Sequence, residues 1–264
     1  MVRLVLCAVD SSDLGARVLR HAAGLAAAMQ SRLLLLHVGD MPAARLDTLL
    51  EEATPYGAGY VDATVRVERG AVVETILRVA RESNAGLIVA GTRARRGLAR
   101  LLLGSTSAVL LQATDRPVLL VPPSEIDVLT LSHDRVTLHF GVVLAAVDLD
   151  EANNEQLAWA SHFAALAKQR LELLTVATDE AVSDHDTAAA LKARGHGLTP
   201  VAPTAFIVRR GEVAEEIARC AVAEMAGLVV MGLRSGDRGS PGKVASEVME
   251  THDALVLAVP GAPR

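Results

Sequence analysis

Residues 86–122 read GLIVAGTRARRGLARLLLGSTSAVLLQATDRPVLLVP. The apolar run Leu87–Ala90 has the length of a buried strand, Gly91 ends it, and a basic loop follows. Gly104-Ser105-Thr106-Ser107 then opens a helix ahead of a second buried strand, Pro117–Val121. The stretch reads as a strand–loop–helix–strand unit. A helix start leaves backbone N–H groups without intrahelical partners, and the helix dipole adds partial positive charge there. Surrounded by hydroxyls, such an end suits a phosphate.

Upstream, Leu4–Val9 is an apolar run ending in Asp10-Ser11-Ser12, and Leu14, Val18, Ala22, Leu25, Ala26 and Met29 recur at helical spacing. Ser11, Ser12 or Asp13 can cap that helix. Leu33–Val38 is apolar except at His37, as a strand covered on both faces requires. A short helical segment (RLDTLLEEA) and a loop lead to an alternating third strand, Val61–Val67. Gly70 turns into a helix expected to point Val72, Val73, Ile76, Leu77 and Ala80 inward. The order β-α-β-α-β-α-β-α-β implies an α/β fold, a doubly wound five-stranded parallel sheet with helices on both faces.

Downstream, the pattern restarts. Val142–Val147 with Asp148 repeats Leu4–Val9 with Asp10 at an offset of 138 residues, and Leu171–Val176 repeats Leu33–Val38. Arg209-Arg210-Gly211-Glu212-Val213 with its following helix and strand matches Glu68-Arg69-Gly70-Ala71-Val72 at an offset of 141. DALVLAVP, residues 253–260, matches DRPVLLVP, residues 115–122, at 138 again. Ordered matches of this kind indicate a tandem duplication. The expected division is 1–124 for the first domain, 125–139 for a linker and 140–264 for the second. Within the linker region, DVLTLSHDRVTLHF alternates and reads as a hairpin or a linker strand.

Composition narrows the function. The 264 residues are 51% hydrophobic, with a net charge of −5 and mixed signs. Six aromatic residues leave little material for stacking on bases, so nucleic acid is not an expected partner. No stretch approaches the roughly 18 apolar residues of a membrane span, the short run before Asp10 is too brief for a signal peptide, and a cytoplasmic location is expected. Cys7 and Cys220 have neither metal-ligand spacing nor a disulfide framework. They read as buried reduced thiols.

The spacing Gly91, two residues, Ala94, nine residues, Gly104-Ser105 resembles the G-x2-G-x9-G-[ST] nucleotide loop of the universal stress protein family. Ala94 stands where that family has its second glycine. Together with Ala8-Val9-Asp10-Ser11, Leu36-His37-Val38 and the Gly70 turn, the resemblance covers nearly the whole chain as two domains in tandem. It implies strand order 3-2-1-4-5 in each, with the domains packed as a pseudo-dimer through their last strands, Val118–Val121 and Leu255–Val259, and a further homodimer of chains. It also implies a site for ATP, with magnesium on the phosphates, where strands 1 and 4 diverge.

The resemblance assigns roles there. Asp10 accepts from the adenine amino group or the ribose, Val38 offers backbone groups to the adenine edge, and Ala8 and Val9 form an apolar wall. Gly91 admits the sugar, while Gly104, Ser105, Thr106 and Ser107 donate to phosphate oxygens. Arg93, Arg95, Arg96 and Arg100 make the loop basic, with Arg93 or Arg95 the candidates for phosphate contact. A β-carbon at Ala94 costs on the order of 1 kcal/mol if the family glycine has positive φ.

For several of these residues a purely structural reading stands beside the functional one. Asp10 can be a helix cap, Ala8, Val9 and Val38 core, and His37 a strand-end histidine. In the second half Gly242-Lys243-Val244-Ala245 replaces Gly-Ser-Thr-Ser, so a degenerate second site is expected, with Lys243 left to attract an anion. Residues 236–243, GDRGSPGK, fail the P-loop template in spacing and in the hydroxyl after lysine. Catalysis beyond slow ATP hydrolysis has no evident residues, and the Asp184-His185-Asp186 trio reads as a metal site or a solvated loop. The reading is a regulatory stress protein that binds an adenine nucleotide mainly in its first domain and signals to a protein partner. The alternatives are an interaction scaffold without nucleotide and an enzyme that handles adenylates.

Overall fold

The computed structural model describes residues 2–53, 61–92, 104–123, 128–132, 135–151, 155–178, 182–233 and 241–261. They form two compact units that divide between His139 and Phe140.

In the first unit, β1 (Leu4–Val9), α1 (Asp13–Met29), β2 (Arg32–Val38), α2 (Ala43–Glu52), β3 (Ala63–Glu68), α3 (Val72–Glu82), β4 (Leu87–Gly91), α4 (Ser105–Ala113) and β5 (Val118–Val121) alternate without interruption. All strand pairs are parallel, in the order β3-β2-β1-β4-β5. Ala8 faces Leu36 of β2 on one side and Ala90 of β4 on the other, so these strands finish at one level. Val5, Leu6, Leu33, Leu35, Leu87, Ile88 and Val89 are buried. Burying such side chains stabilises a fold by roughly 1.5–3 kcal/mol each relative to exposure.

Two helices depart in detail from the periodicity. Val72 is 43% exposed at the start of α3, and the inward stripe is Thr75, Ile76, Val79 and Ala80 with Leu77. Val72 is the first helical residue, and the stripe that meets the sheet begins a turn later. Position 12 is the N-cap of α1, yet its side chain makes no capping bond, because the Ser12 hydroxyl turns back to Asp10.

Residues 129–138 form an antiparallel hairpin, β6 (Leu129–Ser132) and β7 (Arg135–Leu138), and β7 lies along α1. The segment expected as a linker thus packs on the first unit, with Val128, Leu129 and Leu138 buried. Covered on both sides, α1 is buried at every position from His21 to Ala26.

The second unit repeats the architecture with β8 (Val142–Ala146), α5 (Glu155–Ala167), β9 (Arg170–Ala177), α6 (Asp184–Gly195), β10 (Ala205–Arg210), α7 (Val213–Ala223), β11 (Leu228–Leu233), α8 (Pro241–Thr251) and β12 (Leu255–Pro260). Its order, β10-β9-β8-β11-β12, is again 3-2-1-4-5, all parallel. Gly70 and Gly211, equivalent in the two halves, have φ of 133° and 139°, a region that side-chain-bearing residues rarely adopt.

Candidate functional site

In the first unit the chain leaves β1 toward β2 on one side and reaches β4 on the other, so the ends of β1 and β4 mark the topological switch point of the sheet. The residues around it are tied together by short polar contacts. Asp10 closes the turn after β1, its Oδ1 accepting from the backbone N of Ser12 at 2.9 Å and from the Ser12 hydroxyl. His37, 8% exposed, donates from Nδ1 to the Val9 carbonyl at 3.0 Å. That bond fixes the tautomer, with the proton on Nδ1, and makes His37 a cross-strand brace between β2 and β1. Val38 ends β2, half-buried, and Ala8 and Val9 end β1.

Gly91 ends β4. A β-carbon there would lie 2.7 Å from Val18 Cγ2 and 3.1 Å from Leu14 Cδ2, so the glycine lets α1 approach the strand. This packing requirement accounts for Gly91 without reference to a sugar. The next residue, Thr92, donates from its backbone N to the Val121 carbonyl at 3.1 Å.

Gly104 is the N-cap of α4 and has no side chain with which to cap it. The first helical bond runs from Ala108 N to Gly104 O at 3.0 Å, so the amides of Ser105, Thr106 and Ser107 precede the hydrogen-bonded ladder. Ser105 and Thr106 are exposed, whereas Ser107 is buried and donates its hydroxyl to the Gly91 carbonyl at 3.0 Å. Of the expected donors, Ser107 therefore commits its hydroxyl to the scaffold. Its bond anchors the start of α4 to the end of β4, which the loop motif did not reveal. Arg93, with Ala94, Arg95, Arg96 and Arg100, lies outside the described residues.

The second unit builds the same corner with different chemistry. Asp148 repeats the turn of Asp10, accepting from Asp150 N at 3.0 Å. Arg194 of α6 donates to the carbonyls of Glu151 at 2.6 Å and Leu149 at 2.8 Å, holding the loop after β8. Lys243, which takes the place of Ser105, pairs with Glu212 Oε1 at 2.7 Å. The ammonium holds the Glu212 carboxyl below the usual range, and Glu212 in turn caps α7 through the amides of Ala214 and Glu215. Lys243 is thus engaged by a carboxylate of its own chain. Gly236–Ser240 lie outside the described residues. Asp184 pairs with Arg210 at 2.7 Å and Asp186 sits in the turn capped by Ser183, which accounts for the acidic trio as the first turn of α6.

Among the described residues no group of three or more His, Cys, Asp or Glu side chains could hold a metal ion, and no helix is long and apolar enough to cross a membrane. Burial pushes the Cys7 thiol far up and that of Cys220 up to about 11.

Two successive α/β units of strand order 3-2-1-4-5, the first with a hydroxyl-bearing helix start at its switch point, define a tandem doubly wound α/β protein. The sequence profile of the Universal stress protein family matches residues 1–122. Universal stress protein YxiE of Bacillus subtilis is 31% identical over 147 residues, covering 46% of this chain and 99% of that protein. The chain belongs to the universal stress protein family. Protein PA1789 of Pseudomonas aeruginosa, of unknown function, superposes over 98% of this chain and 93% of its own at 21% identity and a TM-score of 0.74. A universal stress protein of Archaeoglobus fulgidus does so over 97% and 98% at 17% identity and a TM-score of 0.67. Both likenesses extend the fold over the two units.

Proposed function

We propose that the first unit binds an adenine nucleotide, ATP, at the carboxyl ends of β1 and β4, and that the protein acts as a cytoplasmic regulatory sensor in the stress response. The adenine lies against Ala8, Val9 and the backbone of Val38, and Asp10 accepts from its amino group or from the ribose. The sugar passes Gly91. The phosphates meet the amides of Gly104, Ser105, Thr106 and Ser107 and the hydroxyls of Ser105 and Thr106, with Arg93 and magnesium offsetting their charge. The observation that carries this reading is the start of α4: an uncapped helix N-terminus with two exposed hydroxyls, anchored by Ser107 to the strand end at the switch point. A bound polyphosphate would engage amides and dipole together. Binding would change the surface around the start of α4 that a protein partner reads.

Titration calorimetry of nucleotide-stripped protein with ATP, ADP and cAMP, with and without magnesium, tests the reading. About one equivalent should bind, and Gly104→Trp should remove the heat while far-UV circular dichroism stays unchanged. Absence of saturable binding to any of the three overturns it.

A second reading, an interaction scaffold without nucleotide, is favoured by two contacts. Gly91 and Ser107 both have packing roles that need no ligand. On that reading Gly104→Trp leaves the protein's cellular activity intact.

A further inference from the structure

Glu172 lies in β9, between Leu144 of β8 and Ala205 of β10, and is 3% exposed. Its Oε1 is 3.6 Å from Arg170 Nη1, beyond hydrogen-bond distance, and its Oε2 is buried without a hydrogen-bond partner. α7 packs on β9 and brings two more groups. Glu224, the C-cap of α7 and half-buried, acts on Glu172, and the buried Cys220 feels both carboxyls. The equivalent residues of the first unit are Leu34, Ser83 and Val79. The architecture therefore does not need acids at this joint, and the second unit has placed two there.

The surroundings do little to keep Glu172 charged. Leu144 and Ala205, the cross-strand neighbours, are apolar, and among the described residues Arg170 is the cation that opposes the protonation of Glu172. Arg209 of β10 stands two pleats along the same face, against Cys220. On α7, Arg219 is paired with Glu215 and Glu216. An ionised carboxylate with one oxygen dry and unbonded is costly, and a second carboxylate beside it adds repulsion. Burial, then the Glu224 charge, raises the pKa of Glu172 above its ordinary value.

We propose that the buried, half-unbonded carboxyl of Glu172 makes the β9–α7 joint a pH-sensitive element that tightens on acidification and loosens as pH rises. The sign follows from linkage. Below the unfolded-state value both states hold the proton and Glu172 contributes no pH dependence. Between the unfolded and folded values the unfolded chain releases a proton that the folded protein retains, so stability falls as pH rises through that window.

Trp159, the only tryptophan, lies on α5 and reports on the second unit in the full chain. Thermal unfolding followed by its fluorescence should show the wild-type Tm falling as pH rises above the ordinary carboxylate range. Glu172→Leu, which restores the residue of the first unit, should remove that fall, and Glu224→Gln should reduce it. In an infrared pH titration the C=O band of a protonated carboxyl should persist to higher pH in the wild type than in Glu172→Gln, a readout that needs no change in stability. Identical pH slopes in the wild type and Glu172→Gln, or identical infrared titrations of the two, overturn the proposal.

Discussion

Gly91→Ala is the most direct test of why the end of β4 is glycine. The added β-carbon would lie 2.7 Å from Val18 Cγ2 and 3.1 Å from Leu14 Cγ and Cδ2, and both side chains belong to a helix held between the sheet and the β6–β7 hairpin. Relief requires α1 to move or Val18 to change rotamer, and overpacking of this kind costs about 1–3 kcal/mol. Val18→Ala alone, at 1% exposure, leaves a cavity and costs about 2 kcal/mol. In the double variant each change supplies what the other needs, so its cost should fall below the sum of the singles by ~1–2 kcal/mol. Urea unfolding followed by far-UV circular dichroism measures the cycle, with Trp159 fluorescence recording the second unit separately. Additive costs, or a Gly91→Ala loss under about 0.5 kcal/mol, would refute the packing argument.

Other expectations follow from single contacts. Ser107→Ala should cost about 1 kcal/mol by removing the bond to the Gly91 carbonyl, measured by urea unfolding, since Ala245 fills the equivalent buried position in the second unit. Arg66, Glu68, Arg78 and Glu82 close a ring of four ion pairs between β3 and α3 at 2.6–2.9 Å, and hydrogen bonds from the arginines hold both carboxyls below their ordinary values. Their contribution is present above the unfolded-state value and lost as pH falls through the folded one, so thermal melts of the wild type and Glu68→Gln should converge in acid and in high salt. Cys7 and Cys220, buried with raised thiol pKa values, should resist a thiol reagent in the native protein and both react after unfolding, as absorbance assays can count.

The fold was legible because a buried parallel strand has a plain signature. Leu33–Leu36 and Leu87–Ala90 are unbroken apolar runs, and the repeat at offsets of 138 and 141 doubles the evidence for each element. What escaped was pairwise geometry. Val72 fits the helical period yet faces out, because periodicity fixes a stripe's direction but not the residue at which it starts. The site was legible as positions more than as roles. Nothing in a glycine after a strand says that Val18 lies 2.7 Å from its missing β-carbon, and nothing in Gly-Ser-Thr-Ser says that the last hydroxyl turns inward. The pairing of Lys243 with Glu212 joins residues 31 apart and depends on tertiary packing alone.

The duplication separates what the fold needs from what a ligand would need. Asp148 makes the same turn as Asp10, with an amide bond of 3.0 Å against 2.9 Å, although the second unit has lost the hydroxyl-bearing helix start. An aspartate kept where the hydroxyl-bearing helix start is absent is explained by the turn itself, whose amide would otherwise lack an acceptor. Asp10 is therefore weak evidence for a nucleotide, and the weight falls on Ser105 and Thr106, whose counterparts are Lys243, bound to Glu212, and Val244. Replacing both hydroxyls, Ser105→Ala with Thr106→Val, leaves the Ser107 anchor intact and changes only exposed side chains. If nucleotide binding is as proposed, calorimetry should record a loss of roughly tenfold or more in ATP affinity, with thermal stability unchanged within about 0.5 kcal/mol. Unaltered affinity would assign any binding to the backbone amides and the basic loop, and would remove the hydroxyls from the site.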